Sequence, residues 1–199
     1  SYNYVDYSDE LSAPRIDIME NFLDALHTHY VHTGIVRSLV KRHKCKVHLE
    51  SIQDGYQATY IEEKQQTGFL IKAFGSHINK SIGRVLFPSL IQLDYCSEKS
   101  VELMVSIWIS PISADKNKLF IRTYIKKNKI PFFLKVIVLH PLLTFVYRQD
   151  KRVLETLASN TKEASFQPII TESDVMRHWL AKVLSNDITS VDKYIDLEL

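Results

Sequence analysis

His27, His29 and His32 follow Asp24 within the stretch Glu20-Asn21-Phe22-Leu23-Asp24-Ala25-Leu26-His27-Thr28-His29-Tyr30-Val31-His32. Neutral imidazole is the commonest metal ligand in proteins, and a neighbouring carboxylate can serve as a further ligand or orient a ligating ring. A metal centre is therefore the first chemistry this chain suggests. The plain alternative is a set of ordinary core and surface histidines.

Ile16, Ile18, Met19, Phe22, Leu23, Leu26 and Tyr30 recur at roughly helical spacing, which predicts an amphipathic helix over about residues 16–28. On such a helix Asp24 and His27 share a face. His32 lies about 140° further round than His27, so the two reach one ion only where the helix ends or bends between them. Val31-His32-Thr33-Gly34 offers an end point. Two histidine ligands are then feasible, and a third ligand must come from elsewhere. A zinc site of His27, His29 and His32 competes with this arrangement, although His29 points about 200° away from His27 on a helix.

Glu20 to His32 satisfies Glu-Asn-x-x-Asp-x-x-His-x-x-x-x-His at every fixed position, and so resembles the mononuclear-iron motif of Rieske-type non-haem iron oxygenases. That family completes its ligand set with an aspartate at the start of a C-terminal helix, in a context similar to Gln149-Asp150-Lys151-Arg152-Val153-Leu154-Glu155. The resemblance covers about residues 14–184 and looks closer to the monooxygenase branches, including the pheophorbide-oxygenase-like ones, than to the naphthalene-type dioxygenases. It implies that His27, His32 and Asp150 bind Fe(II), a set that leaves positions open for dioxygen and substrate. It also implies that Asp24 is the carboxylate bridging to a cluster-ligating histidine of a neighbouring subunit, and that Asn21 lies near the iron.

The same resemblance implies parts that this sequence does not supply. The family's Rieske [2Fe-2S] cluster is held by two cysteines and two histidines, whereas the two cysteines here, Cys45 and Cys96, lack the accompanying histidines. Residues 1–13, with Tyr2, Tyr4 and Tyr7, read as a linker or interdomain strand from a missing N-terminal Rieske domain, and 14–199 as the catalytic domain. The expectation is the catalytic portion of a longer polypeptide, or a partner subunit of a split enzyme, that binds iron but does not turn over alone. Inserting oxygen from O2 into a C–H bond consumes two external electrons, so a one-electron donor must sit nearby. The cluster would be that donor, fed from NAD(P)H by a ferredoxin or flavin reductase, and the complete enzyme would be a homotrimer acting on a hydrophobic, aromatic or polycyclic substrate with O2.

At 199 residues, 45% hydrophobic and 24% charged, the chain has the mix of a single globular domain. A net charge of +2 argues against nucleic acid as a partner, and the basic runs at 37–46 and 126–129 read as solvated faces. Two unpaired cysteines fit a reducing cytoplasm. Segments 46–52, 56–62, 68–74, 84–96, 101–110 and 118–126 read as strands, rich in Val, Ile, Tyr, Phe and Thr and parted by turn residues. Strands followed by terminal helices predict an α+β fold. The resemblance adds a curved antiparallel sheet gripping a long helix, as in START-like domains. Residues 130–147 are strongly apolar and read as a buried helix running into the Asp150 helix, which ends near residues 159–160. The alternative is a lid or membrane-surface patch with His140 at a substrate entrance. Thr171 to Asp174 signals a further helix, and the acidic tail 185–199 reads as peripheral. Phe69, Phe87, Trp108, Tyr124 and Phe145 are aromatic candidates for a pocket, with core packing the plainer role.

Two readings compete with the oxygenase. One is a START-like carrier of lipid or pigment without redox chemistry. The other is a zinc hydrolase in which Glu20 or Glu155 acts as general base on a metal-bound water.

Overall fold

A computed structural model describes residues 1–36, 44–62, 78–127, 131–164, 171 and 174–198. The order is β1 (Tyr2–Leu11), α1 (Arg15–Leu23), a 3-10 turn (His27–His29), β2 (Lys44–Ile52), β3 (Gly55–Glu62), β4 (Lys80–Leu86), β5 (Leu90–Cys96), β6 (Val101–Ser113), β7 (Lys116–Lys126), α2 (Phe132–Ala164), α3 (Arg177–Leu184) and β8 (Asp192–Glu198). The strands form one sheet in the order β1-β7-β6-β5-β4-β3-β2-β8, antiparallel throughout. The fold is α+β.

Side-chain alternation decides which face of this sheet is the core. In β7, Leu119, Thr123 and Ile125 are buried while Phe120 is exposed. Register carries the same choice across neighbours. Val105 lies opposite Leu93 and Thr123, and Gly83 opposite Leu93 and Ala58. The inner face so formed is covered by α1, α2 and α3.

α2 runs for 33 residues with Pro141 inside it. Lys135, Leu139, Tyr147, Asp150, Leu154 and Ala158 are its buried positions, spaced three, four or eight apart, so one stripe meets the sheet. Phe133, Leu134, Ile137, Val138 and Phe145 are exposed, which corrects the expectation of a buried helix over 130–147. The segment Phe132–Thr161 is long and apolar enough to cross a membrane by length and composition alone, yet its buried stripe is already occupied by this chain's own core.

Several expectations change. The span 84–96 is two strands, not one, because Pro88 has no N–H to donate to a ladder and the turn falls there. Residues 2–11, read as linker or interdomain strand, form β1, paired with β7 along its length. The acidic tail supplies β8, an edge strand on β2 that buries Leu197. The strand expected over 68–74 lies outside the described residues. Cys45 and Cys96 are both buried and are not joined in a disulfide.

The β2–β3 hairpin turns through Asp54, whose φ of 61° an aspartate tolerates. A Cβ on Gly55 would lie 1.9 Å from the Val85 carbonyl oxygen, so β4 can pack there only against a glycine. We expect Gly55→Ala to destabilise the protein by about 2–4 kcal/mol in urea unfolding. An unchanged midpoint would mean that β4 does not hold this position.

Candidate metal centre

α1 ends at Leu23, well short of the predicted residue 28, and Asp24 is extended, with ψ of 102°. The reason is chemical. Asp24 Oδ1 accepts the Leu26 N–H at 2.7 Å and Oδ2 the His27 N–H at 3.1 Å, a local side-chain bond that competes with helix continuation. Asp24 and His27 therefore do not share a helical face. The chain instead folds into a 3-10 turn carrying His27, then a second turn in which Ile35 and Val36 donate to the His32 carbonyl and Gly34 takes a positive φ of 82°.

These turns aim both rings at α2. His27 Nδ1 donates to the Asp24 carbonyl, and His32 Nδ1 to Gln149 Oε1 at 3.0 Å. Nε2 of each ring then faces Asp150 Oδ1, at 3.5 Å from His27 and 3.0 Å from His32. The rings meet edge to face with centroids 5.2 Å apart. Asp150 is 4% exposed and His32 1%.

Two imidazole lone pairs turned on one buried carboxylate oxygen repel unless a cation lies among them, either a proton or a metal ion. His27 Nε2 and Asp150 Oδ1 are indeed buried without a hydrogen-bond partner among the described residues. One ligand atom from each of His27, His32 and Asp150 falls within 4.8 Å of the others. Ligand atoms on a single ion with bonds of about 2.1 Å are about 3.0–3.4 Å apart, so the group fits a metal. Two imidazoles and one carboxylate match the donor set of non-haem Fe(II) sites.

Proton affinities follow the same geometry. Burial alone would lower His27, but the Asp150 carboxylate and then Asp24 outweigh it and hold its proton above the usual histidine range. Burial alone would raise Asp150, yet His27 and His32 keep it ionised below the usual carboxylate range. Asp24 lies higher than an ordinary carboxyl because burial outweighs its backbone hydrogen bonds.

The remaining sequence candidates divide. Asn21 Nδ2 is buried with no hydrogen-bond partner among the described residues. His29 lies on the 3-10 turn but is not one of the convergent group. Glu20 Oε2 is held by Arg177 Nη1 at 2.6 Å, an arginine that also binds Asp17 and so ties α1 to α3. Glu155 Oε1 accepts the Ser12 N–H at 3.1 Å. Neither glutamate is turned to the metal group.

A cavity of about 160 Å³ adjoins His27, His32 and Asp150, comparable to the roughly 150 Å³ that holds benzene in an engineered protein core. Its walls are mainly apolar: Leu93, Val105, Ile107 and Ile121 from the sheet, with Phe22 and Leu23 from α1. Its aromatic lining also includes Tyr7, Tyr60, Tyr95 and Tyr147. Phe87, Trp108, Tyr124 and Phe145 are not in it; Phe87, Trp108 and Phe145 are exposed, and Tyr124 packs against Tyr4, while Phe69 lies outside the described residues. His140, which the sequence offered only as an alternative entrance residue, is exposed on α2 and lines the cavity.

No protein-family model and no curated protein matches the sequence. Solved structures do match the fold. Dicamba monooxygenase bound to dicamba superposes with a TM-score of 0.70 at 13% identity, over 93% of this chain and 58% of its own. NdmA of Pseudomonas putida CBB5 with caffeine gives 0.68 at 15%, over 92% and 51%. The quaternary ammonium Rieske monooxygenase CntA, in complex with an inhibitor, gives 0.64 at 13%, over 94% and 50%. This chain thus spans between half and three-fifths of those proteins. What the likeness establishes is architecture: the chain has the fold of a Rieske oxygenase catalytic domain.

Proposed function

We propose that this chain is the iron-binding catalytic part of a Rieske-type oxygenase that hydroxylates or demethylates a hydrophobic, aromatic substrate. The observation that carries the reading is the convergence of His27, His32 and Asp150 beside an apolar cavity. His27, His32 and Asp150 would hold a ferrous ion, which would supply O2 activation with electrons from a [2Fe-2S] cluster on another domain or chain and, behind it, a reductase drawing on NAD(P)H.

The chain's own groups have separable tasks. Gln149 and the Asp24 carbonyl fix both rings with Nε2 turned inward. Leu93, Val105, Ile107 and Ile121 keep water from the reacting carbon. We assign Asp24 the link to the electron donor, since its half-buried carboxylate adjoins the His27 turn, and Asn21 a supporting position near the ion. In the complete protein we expect a homotrimer.

Neither competing reading explains the site as well. An apolar carrier has no use for a buried carboxylate facing two imidazoles, which is unfavourable without a cation. A hydrolase needs a general base at the metal-bound water, and Glu20 and Glu155 are both committed elsewhere.

His27→Ala should reduce anaerobically bound Fe(II) from about one ion per chain to a small fraction of that, with circular dichroism little changed. Stoichiometric iron in that variant refutes the ligand assignment.

A pH dependence follows from the raised His27 and lowered Asp150. Without metal, the His27 contribution to stability is full below the ordinary histidine range and is lost as pH rises through its raised value. The Asp150 contribution is present above the ordinary carboxylate range and is lost as pH falls through its lowered value. A metal ion must displace the His27 proton, so Fe(II) affinity should weaken by up to about tenfold per pH unit as pH falls below the His27 value. Titrations at about pH 8, 7 and 6 check this, and flat affinity would count against His27 as a ligand.

In an assembled enzyme, Asp24→Asn should keep its iron while turnover falls about 100-fold. Undiminished turnover would remove Asp24 from the electron path.

A further inference from the structure

We propose that Ser81 is the polar anchor of the cavity, hydrogen-bonding a neutral oxygen or nitrogen substituent on the substrate's ring, and that carboxylate substrates are rejected. This deepens the oxygenase reading and rests on it.

Ser81 sits on the inner face of β4, directly opposite Tyr60 on one side and Tyr95 on the other. All three line the cavity. Ser81 is 7% exposed, and its Oγ has no hydrogen-bond partner among the described residues. Three other hydroxyls of the same wall are satisfied by backbone carbonyls: Thr28 by Ala25, Thr144 by His140 and Tyr60 by Leu23. The Tyr147 phenol is also buried with no hydrogen-bond partner among the described residues; its ring packs edge-on against Tyr7 of β1, and burial and then the charge of Asp9 raise its proton affinity. Ser81 is thus one of two buried, unpartnered hydroxyls on the cavity wall among the described residues, the one flanked by Tyr60 and Tyr95, with a donor and an acceptor to offer. Such a group is unfavourable when unmet and selective when a ligand meets it.

Charge limits what that ligand can be. Asp24, Asp150, His27, His32 and His140 are the acidic and imidazole side chains that line the cavity, and no lysine or arginine lines it among the described residues. Two carboxylates already balance a divalent ion, so a buried carboxylate on the substrate would find no counter-charge. A ring bearing a carbonyl, ether or amide oxygen satisfies Ser81 without that penalty. Gly83, two residues along the same face, lets Leu23 pack closely on the cavity wall, since a Cβ there would come within 3.1 Å of Leu23 Cδ2.

The test compares ethylbenzene with acetophenone, which share a skeleton and differ by a carbonyl, and adds benzoate. Affinities are read by calorimetry on the chain as isolated and on the chain loaded anaerobically with Fe(II), for wild type and Ser81→Ala. Ser81→Ala should weaken acetophenone about tenfold while changing ethylbenzene by no more than about twofold. Benzoate should bind wild type at least about tenfold more weakly than acetophenone. Equal changes for the two neutral ligands, undiminished acetophenone binding, benzoate as tight as acetophenone, or no binding of any of the three would overturn the proposal. Iron content is measured separately: wild type that binds no Fe(II) refutes the oxygenase reading, whatever the ligand affinities show.

Discussion

A carboxylate oxygen on a long helix, buried and confronted by two ring nitrogens from an early turn, constrains the rest of this molecule. Asp150 and the pair His27 and His32 are brought together across more than a hundred residues of sequence, at 3.5 and 3.0 Å. Their opposite ring nitrogens are committed to Asp24 and Gln149. The rings therefore cannot turn away without breaking those bonds, and the three electron-rich atoms cannot coexist without a cation. The favourable energy that holds the arrangement comes from elsewhere, chiefly from apolar burial at about 1.5–3 kcal/mol per large side chain. Leu139, Tyr147, Leu154 and Ala158 seat α2 on the sheet, and Ile18, Met19 and Leu23 seat α1. Arg177, binding Asp17 and Glu20 together, keeps α1 from sliding relative to α3.

Much of this was legible in the residues, and what was not has identifiable causes. Period-two alternation exposed β7, where Leu119, Thr123 and Ile125 are buried on one face. The convergence of His27 and His32 on Asp150 was readable because a turn between the two histidines is the arrangement that lets both rings face one point. The end of α1 was misplaced because apolar periodicity persists past Leu23, whereas termination is set by hydrogen bonds from the Leu26 and His27 N–H groups to the Asp24 side chain. In β8, acidic outward positions concealed the inward pair Ile195 and Leu197. The exposed stripe on α2 escaped for the opposite reason, since composition reports how apolar a segment is but not which neighbour covers it.

Cavity residues were the least legible of all. Ser81, Gly83, Leu93 and Val105 come from three strands, and nothing local marks any of them. They become one wall only through cross-strand register, in which Gly83 faces Leu93 and Leu93 faces Val105. A slip of a single residue in β4 would turn Ser81 to the outer face and replace it with a lysine or an isoleucine. The selectivity of the cavity is therefore a property of strand pairing rather than of any motif.

On the proposed function, Asp24 would serve both position and communication. Its carbonyl fixes the orientation of His27, while its carboxylate accepts two backbone N–H groups and shapes the turn. An ionised carboxylate has about four acceptor sites, so the turn leaves capacity for a donor arriving from another domain or chain. Burial, which raises its proton affinity, would make an incoming donor's hydrogen bond to the charged form correspondingly more favourable. A bond made there acts on the turn that carries His27, and through it on the ring nitrogen facing Asp150. Asp24 would link the centres through the same contacts that already hold His27 in place, with no separate route required.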